Sequence, residues 1–301
     1  MRARVLFLLA LALSGCDRGR RSETPTLWKD FSGANALRHV QQLVNCGPRP
    51  PGSEAIEQAR MYITAELEAF GWRVERQSFD EETPRGRVTF VNLLATFPGK
   101  EPAAKSPPSF LLCSHYDTKV YDTAPFVGAN DGGSSNGLLL EMARLLAQRP
   151  ELAGKVQLVF FDGEEAYVSF SDTDGFYGSR HFAKQLTAAN RVKQFRGGIL
   201  FDMVGDRELT ITLPPDSPAE LARDIFAAAE ALKVRQHFTY ADNPISDDHT
   251  PLNAAGIPTI DLIDFDFPAW HTPEDTMDKI SAESLEIVGS VAARYLEVAL
   301  K

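Results

Sequence analysis

Four short apolar segments, each followed closely by acidic or imidazole side chains, constrain the fold of this chain more than any other feature. The segments are SFLLCSHYD (109–117), KVQLVFFDGEE (155–165), GGILFDMVGD (197–206) and IPTIDLIDFD (257–266). A continuous apolar run of this length is typical of a strand buried on both faces of a parallel sheet. Segments with helical spacing alternate with these strands at 136–148, 179–186, 218–233 and 281–300. Two helices, 35–45 and 55–70, and two strands, 72–79 and 87–97, are predicted before them. The sequence therefore predicts a three-layer α/β fold, with a mostly parallel, mixed central sheet flanked by helices.

Polar residues recur where these predicted strands end. They are His115, Glu164, Glu165, Asp202 and the pair Trp270–His271, and Asp131 lies in the glycine-rich loop VGANDGGSSNG. Ligands of such sheets bind beyond the carboxyl ends of the strands, so we expect these side chains to converge. Any one of them alone is explained as well by a helix cap or a hydrogen-bonded polar group. Their recurrence at successive strand ends favours a site.

The donor set indicates zinc. His115, Asp131, Glu165, Asp202 and His271 offer nitrogen and oxygen donors without thiolates, and a catalytic zinc ion typically has three protein ligands and one open position. Glu164, next to one of these ligands, suits a general acid or base beside the metal.

The first residues predict export. MRARVLFLLALALSGC has two arginines, an apolar run and small residues before Cys16, the pattern of a secretory signal covering residues 1–15. LSGC also resembles a bacterial lipobox, so we expect Cys16 to be lipidated; a plain signal peptide with a chance cysteine is the alternative. A polar tether (16–34) would then hold a single catalytic domain (35–301) at the periplasmic face of a membrane, with the lipid anchor as its membrane contact.

Composition excludes one class of partner. The formal net charge is −10 and no basic run is present, so nucleic acid is not expected to bind. We expect a monomer. Cys46 and Cys113 are compatible with a disulfide or with two buried free thiols, and the sequence does not decide between them.

Six motifs resemble a known superfamily. SHYDTK, GANDGGSSNG, FFDGEEA, YGSRH, FDMVGD and AWHTPEDTMDKI are similar to motifs of the zinc aminopeptidases, a superfamily that includes the animal-type glutaminyl cyclases. The resemblance covers about residues 36–300 and implies a mixed sheet flanked by helices. In the aminopeptidases, the positions that match the five donors above hold two zinc ions, and the position that matches Glu164 is the base.

Three features favour the cyclase branch. The insertion AYVSFSDTD places Phe170 where animal cyclases have tryptophan, ISDDHTPL contains Asp247 at a catalytic position of the cyclases, and FPAWHT places Trp270 before His271, with Phe267 three residues ahead. Each also has a structural explanation: a loop anchor, a helix cap and simple packing. The resemblance thus implies a glutaminyl-peptide cyclotransferase, an acyltransferase that converts N-terminal glutamine of peptides to pyroglutamate and releases ammonia. The alternative is a periplasmic aminopeptidase with two zinc ions.

The chemistry of cyclisation favours a single zinc ion, because a second metal that binds the substrate amine would occupy the lone pair needed for attack. We therefore expect one zinc ion per chain, held by Asp131, Glu165 and His271. His115 and Asp202 would support these ligands or hold a second metal. Glu164, Asp202 and Asp247 are expected to be catalytic, and Phe170, Phe267 and Trp270 are expected to line the substrate pocket.

Overall fold

The computed structural model describes residues 26–98 and 107–300. The helices are α1 (Gly33–Asn45), α2 (Glu54–Ala69), α3 (Gly133–Ala147), α4 (Pro150–Ala153), α5 (Tyr177–Ala188), α6 (Ala219–Ala231), α7 (His249–Ala255) and α8 (Ala282–Ala299). The strands are β1 (Arg73–Thr83), β2 (Gly86–Thr96), β3 (Phe110–His115), β4 (Val156–Phe161), β5 (Gly197–Asp202), β6 (Ile211–Leu213), β7 (Phe238–Tyr240) and β8 (Thr259–Ile263). The expected signal segment and the lipidation site Cys16 lie outside the described residues. No helix in the described ranges is both long and apolar enough to cross a membrane.

One mixed sheet forms the middle layer, with strand order β1-β2-β4-β3-β5-β8-β6-β7. The four central strands β4, β3, β5 and β8 are parallel to one another. On one side β2 pairs antiparallel with both β1 and β4, and on the other side β6 pairs antiparallel with β8. This is the predicted mixed sheet with a parallel centre.

Alternate residues of the central strands face two separate hydrophobic cores, because successive side chains of a strand point to opposite faces. Phe110 and Leu112 of β3 belong to the larger core, which α1, α2, α3, α6 and α8 cover. Leu111 and Cys113 belong to the smaller core, which α5 and α7 cover. The two helix layers and the sheet between them are the three layers predicted from the sequence.

The cysteines that the sequence left open are free thiols. Cys113 is buried in the smaller core, whereas Cys46 packs against the larger core on the other face of the sheet. The sheet separates them, so no disulfide joins them.

The packed part of the chain begins earlier than residue 35, where the sequence placed the start of the domain. A short 3-10 helix spans Leu27–Asp30, and Leu27 and Phe31 are both buried in the larger core. The backbone N–H of Leu27 also donates to Glu297 Oε2 of α8 at 2.8 Å. Residues 27–34, assigned from the sequence to a polar tether, therefore pack on the domain, because Leu27, Trp28 and Phe31 pack in or against the larger core.

The short elements α4, α7 and β7 were not predicted. They are four, seven and three residues long, which is too short for helical or strand periodicity to be recognised. Of these, α7 matters most for the site, since it begins directly after Asp247 and Asp248.

Candidate active site

The parallel strands bring the predicted donors to one edge of the sheet. His115 ends β3 and Asp202 ends β5, while Asp131 lies in the loop that enters α3. His115 Nε2 is 3.2 Å from Asp131 Oδ1 and 3.2 Å from Asp202 Oδ1. All three residues are buried, so they form one enclosed group of metal-binding type.

A second group shares Asp131 with the first. Nε2 of His271 lies 3.2 Å from the Glu165 carboxylate and 3.4 Å from Asp131 Oδ2. In each group, the three donor atoms lie within 4.8 Å of one another. The convergence expected from the sequence is thus present for all five donors.

Two glycines allow the tight turns that aim these donors. Gly132 has a φ of +71°, and a Cβ there would lie 2.9 Å from the His115 ring. Gly163, with a φ of +73°, precedes Glu164 and leaves no room for a Cβ, which would lie 2.4 Å from the Phe90 ring. Only glycine adopts such backbone angles without strain, so both loops depend on it.

Two further carboxylates, to which the sequence analysis gave no role, fix the backbone of the donor loops. Asp117 accepts hydrogen bonds from the N–H groups of Glu164 at 3.1 Å and Glu165 at 3.3 Å. Asp275 accepts from the N–H groups of Asn130 at 2.7 Å and Asp131 at 3.0 Å. Asp117 lies in the motif SHYDTK, just beyond β3, and Asp275 lies in the motif AWHTPEDTMDKI, just beyond His271. These positions were the signal in the sequence from which their role could have been predicted.

Glu164 lies in a cluster of buried acids apart from the two donor groups. Burial, and next the charge of Asp247, raise the pKa of Glu164 well above its usual range. Burial and Asp202 do the same for the pKa of Asp247, and burial raises the pKa of Asp248 to about 7 even though Ser179 Oγ donates a hydrogen bond to it. Buried carboxyl groups whose pKa values are raised by burial and by one another's charge are candidates for proton transfer.

Asp247 does not cap helix α7, although a helix cap was the structural alternative that the sequence analysis gave for this residue. Asp248 occupies the N-cap position and makes no side-chain capping bond. Oδ2 of Asp247 is buried and has no hydrogen-bond partner among the described residues. A buried, unpartnered carboxyl oxygen is costly to the fold, so Asp247 is better explained by the site than by the helix.

The three aromatic residues predicted to line the pocket differ in their exposure. Trp270 stacks on the His271 ring, with centroids 4.2 Å apart, and Phe170 stacks on Phe176 at 4.8 Å; both Trp270 and Phe170 are partly exposed. Phe267 is instead buried in a small apolar cluster with Met203 and Ile245. The structure therefore places Trp270 and Phe170 at the surface of the site and Phe267 behind it.

Comparison with known proteins identifies the family. The model of peptidase family M28 matches residues 92–296. The glutaminyl-peptide cyclotransferase of Boiga irregularis is 30% identical over 285 residues, covering 83% of this chain and 76% of that protein. The chain belongs to peptidase family M28 and to its glutaminyl cyclase branch.

Solved structures of a glutaminyl cyclase and of an exopeptidase have the same fold. The crystal structure of an Acidobacteriales bacterium glutaminyl cyclase superposes with a TM-score of 0.83 at 32% identity, covering 93% of this chain and 98% of that chain. A Zn-dependent exopeptidase from Parabacteroides distasonis superposes with a TM-score of 0.79 at 28% identity, covering 89% of this chain and 98% of that chain. The zinc-aminopeptidase-like fold and the resemblance to glutaminyl cyclases are confirmed.

The donors of this M28 chain fit a zinc ion. Oδ2 of Asp131 is buried without a hydrogen-bond partner among the described residues. Burial and the charge of Glu165 raise the pKa of Asp131 to about 6, which records the cost of crowding carboxylates in a dry place. A divalent cation offsets that repulsion, and zinc accepts carboxylate and imidazole ligands together.

Tyr121 holds His271 in an unusual conformation. His271 has a φ of +55°, in the left-handed region that costs a non-glycine residue about 1–2 kcal/mol. Oη of Tyr121 donates a hydrogen bond to the His271 carbonyl at 2.8 Å, and the edge of Phe126 packs against the His271 ring at 6.1 Å. These contacts, which sequence reasoning missed, keep the imidazole aimed at Asp131 and Glu165.

Replacing Tyr121 with phenylalanine should therefore speed zinc release. Loss of one partly exposed hydrogen bond that orients a ligand is expected to raise the dissociation rate about three- to tenfold. The measurement is zinc transfer from purified protein to a chromogenic chelator. Tyr240→Phe, which removes a hydroxyl from another exposed tyrosine, serves as the control. Equal rates in the wild type and Tyr121→Phe would show that the bond does not hold the ligand.

Proposed function

We propose that the protein is a zinc-dependent glutaminyl-peptide cyclotransferase. It converts the N-terminal glutamine of peptides or proteins to pyroglutamate with release of ammonia. The observation that carries the proposal is the pair of buried acids Glu164 and Asp247, which interact electrostatically with each other and, through Asp247, with Asp202 of the first metal-binding group. The naming of relatives such as the Boiga irregularis enzyme supports the same reaction.

The first requirement of the reaction is to bend the substrate so that its α-amine meets its own side-chain amide. Asp131, Glu165 and His271 would hold the zinc ion, which supplies electrophilic polarisation of the γ-carbonyl when bound. Asp202 and Asp247 offer carboxyl oxygens that accept hydrogen bonds from the substrate's amine and amide N–H groups. Positioning of this kind makes an intramolecular attack fast, because the reacting atoms are already held together.

The second requirement is a proton transfer, and we assign it to Glu164. A bond forms between the α-nitrogen and the side-chain carbonyl carbon Cδ, and the bond from Cδ to the amide nitrogen breaks. The attacking amine loses one proton and the departing nitrogen gains one, so ammonia leaves and no net proton is consumed. A carboxyl group whose pKa is raised by burial and by Asp247 can accept and return that proton near neutral pH.

The third requirement is to keep water from the polarised carbonyl, since hydrolysis would yield glutamate. Trp270, stacked on His271, and Phe170, stacked on Phe176, shield the site on its open side. Phe267 packs with Met203 and Ile245, and its carbonyl accepts a hydrogen bond from the N–H of Trp270 at 3.2 Å, which helps to hold Trp270 in place. Exclusion of water by such a wall favours cyclisation over deamidation.

We propose one zinc ion per chain, in the group of Asp131, Glu165 and His271. His115 would then support the site by bridging Asp131 and Asp202, both 3.2 Å from its Nε2. A second metal that bound the substrate amine would occupy the lone pair that attacks the amide, which is the reason for proposing a single ion.

A di-zinc aminopeptidase is the second candidate, and one observation favours it. The group of His115, Asp131 and Asp202 is as compact as the other, and the two share Asp131. The similar fold of the Parabacteroides distasonis exopeptidase accords with this reading.

One experiment separates the candidates. Purified protein loaded with zinc is offered two peptides that differ only in an N-terminal glutamine or leucine, and both reactions are followed by mass spectrometry. The proposal predicts loss of one ammonia from the first peptide and no change in the second. Release of free leucine would contradict it, and a chelator should abolish either activity.

The cellular setting is also a proposal. Export, lipidation of Cys16 and a position at the periplasmic face of a bacterial membrane rest on residues 1–16 of the sequence. Substrates would then be exported peptides or proteins that begin with glutamine, and the chain would act as a monomer. Labelling with a radioactive fatty acid, lost in Cys16→Ser, tests the anchor.

A further inference from the structure

Arg49 is a buried cation that belongs to neither metal-binding group. It is among the largest fully buried side chains of the described residues, with 1% of the residue exposed. Arg60, the other buried arginine of these residues, pairs with Asp162. The hydrogen bonds of the Arg49 guanidinium go instead to backbone carbonyl oxygens. Burying a charge without a counter-charge in contact is costly, so this arrangement needs an explanation.

The guanidinium of Arg49 joins three segments of backbone. It donates, at 2.8 to 3.3 Å, to the carbonyl oxygens of Leu43, Gly47, Tyr116, Val127 and Gly128. The backbone N–H of Arg49 donates to Thr118 Oγ1 at 2.8 Å, and its carbonyl accepts from the Thr118 N–H at 3.2 Å. One of the three segments directly follows His115, and another leads into the loop that carries Asp131. Arg49 therefore ties together the backbone next to two metal-binding donors and the backbone around the end of α1.

A carboxylate holds the Asp131 loop at its other end. Asp275 accepts hydrogen bonds from the N–H groups of Asn130 and Asp131, whereas Arg49 binds the two carbonyls at the start of the loop. The loop is tight at Gly128, which has a φ of +52° and where a Cβ would lie 2.4 Å from the Asp131 carbonyl oxygen. A cation on the carbonyls and an anion on the N–H groups thus fix one short turn from both sides.

The charges in this region offset one another. Burial lowers the pKa of Arg49 to about 10, and the charges of nearby acids, Asp117 and Asp275 among them, act in the opposite direction. The guanidinium is therefore charged at neutral pH. It supplies positive charge near two buried carboxylates that are bonded to backbone N–H groups of the donor loops.

We infer that Arg49 is a positioning residue for the metal centre, whose guanidinium sets the place of Asp131, the residue that both donor groups share. The inference rests on the part of the proposed function that puts zinc on Asp131, and it does not depend on the cyclisation chemistry. The three guanidinium nitrogens bind five carbonyls in fixed directions, whereas the ammonium of lysine has three donors on a single atom. The geometry of the fork, as well as its charge, is therefore required.

Arg49→Lys tests the inference, because it keeps the charge and removes the fork. The rate of zinc transfer to a chromogenic chelator is expected to rise about tenfold or more. The absorption spectrum of the protein loaded with cobalt(II) in place of zinc reports the geometry of the ligands, and it should change as well. Urea denaturation of the metal-free protein measures any loss of stability separately.

Arg144→Lys is the matched control. The Arg144 guanidinium donates to Glu141 and to the carbonyl of Asp30, which lie on α3 and on the 3-10 helix. This variant should keep the zinc-transfer rate within about twofold of the wild type and leave the cobalt spectrum unchanged. A folded Arg49→Lys protein with the wild-type rate and spectrum would overturn the inference, even if it were less stable.

Thr118→Val decides the matter if Arg49→Lys does not fold. It removes the acceptor of the Arg49 N–H and leaves the guanidinium in place, so zinc transfer should be about two- to fivefold faster. An unchanged rate in this variant would then overturn the inference. A wild-type enzyme that binds zinc but does not cyclise glutamine would contradict the proposed function alone, so the two failures are distinguishable.

Discussion

Replacing Glu164 with glutamine is expected to lower kcat for cyclisation by about 10²- to 10⁴-fold and to leave zinc bound. Glu164 belongs to neither compact donor group, and Asp117 fixes its backbone N–H, so the substitution keeps the shape of the site. It removes only the group that can take and return a proton. The loss should therefore appear in kcat rather than in zinc content.

The measurement is steady-state kinetics on a glutaminyl peptide, together with zinc content per chain. Glu82→Gln, an exposed residue on β1, makes the same chemical change away from the site and should leave kcat unaltered. A Glu164→Gln enzyme that loses less than about tenfold in kcat, with zinc retained, would show that another group moves the proton.

Replacing Asp162 with alanine is expected to cost about 3–5 kcal/mol of unfolding free energy. Asp162 follows β4 and is fully buried, and its Oδ2 accepts from Arg60 at 2.5 Å and from the N–H of Val91 at 2.7 Å. Without the carboxylate, the Arg60 guanidinium keeps a hydrogen bond to Tyr116 Oη and an ion pair with the partly exposed Glu57 at 3.0 Å, but it loses its buried counter-charge. Removing one partner of a buried ion pair is among the costliest single changes in a protein.

Urea denaturation followed by circular dichroism measures this cost. Asp162→Asn keeps an oxygen for Val91 and should lose less, while the double variant Arg60→Met with Asp162→Leu should recover part of the stability. Asp122→Ala breaks the exposed pair with Arg85 and should cost under about 1 kcal/mol. A loss below about 1 kcal/mol in Asp162→Ala would mean that the pair is not structurally important.

The layers of the fold and the convergence of the donors were predictable because they follow from strong, repeated signals. The apolar runs of β3, β4, β5 and β8 favour buried parallel strands, and parallel strands carry their terminal residues to one edge. That rule alone places His115, Glu165 and Asp202 together. Asp131 and His271 lie in loops, and they were included because Asp131 is in the glycine-rich loop VGANDGGSSNG and His271 follows the last predicted strand.

Other parts were not predictable, for physical reasons. The hydrogen bond from Tyr121 to the His271 carbonyl joins a loop to a residue 150 positions away. Hydrophobic periodicity identifies helices and strands, and it cannot predict a single bond between two loops. Phe267 shares its sequence context with Trp270, yet one ring turns into an apolar cluster and the other stacks on His271. Leu27, Trp28 and Phe31 were assigned to a polar tether, because three apolar residues that follow a long polar stretch carry too little signal.

The central claim, cyclisation at a single zinc ion, is tested most directly by adding zinc stepwise to metal-free protein and recording ammonia release from a glutaminyl peptide. The account predicts that the rate rises linearly and reaches its plateau at one zinc ion per chain. A rate that stays near zero until the second equivalent is bound would contradict it.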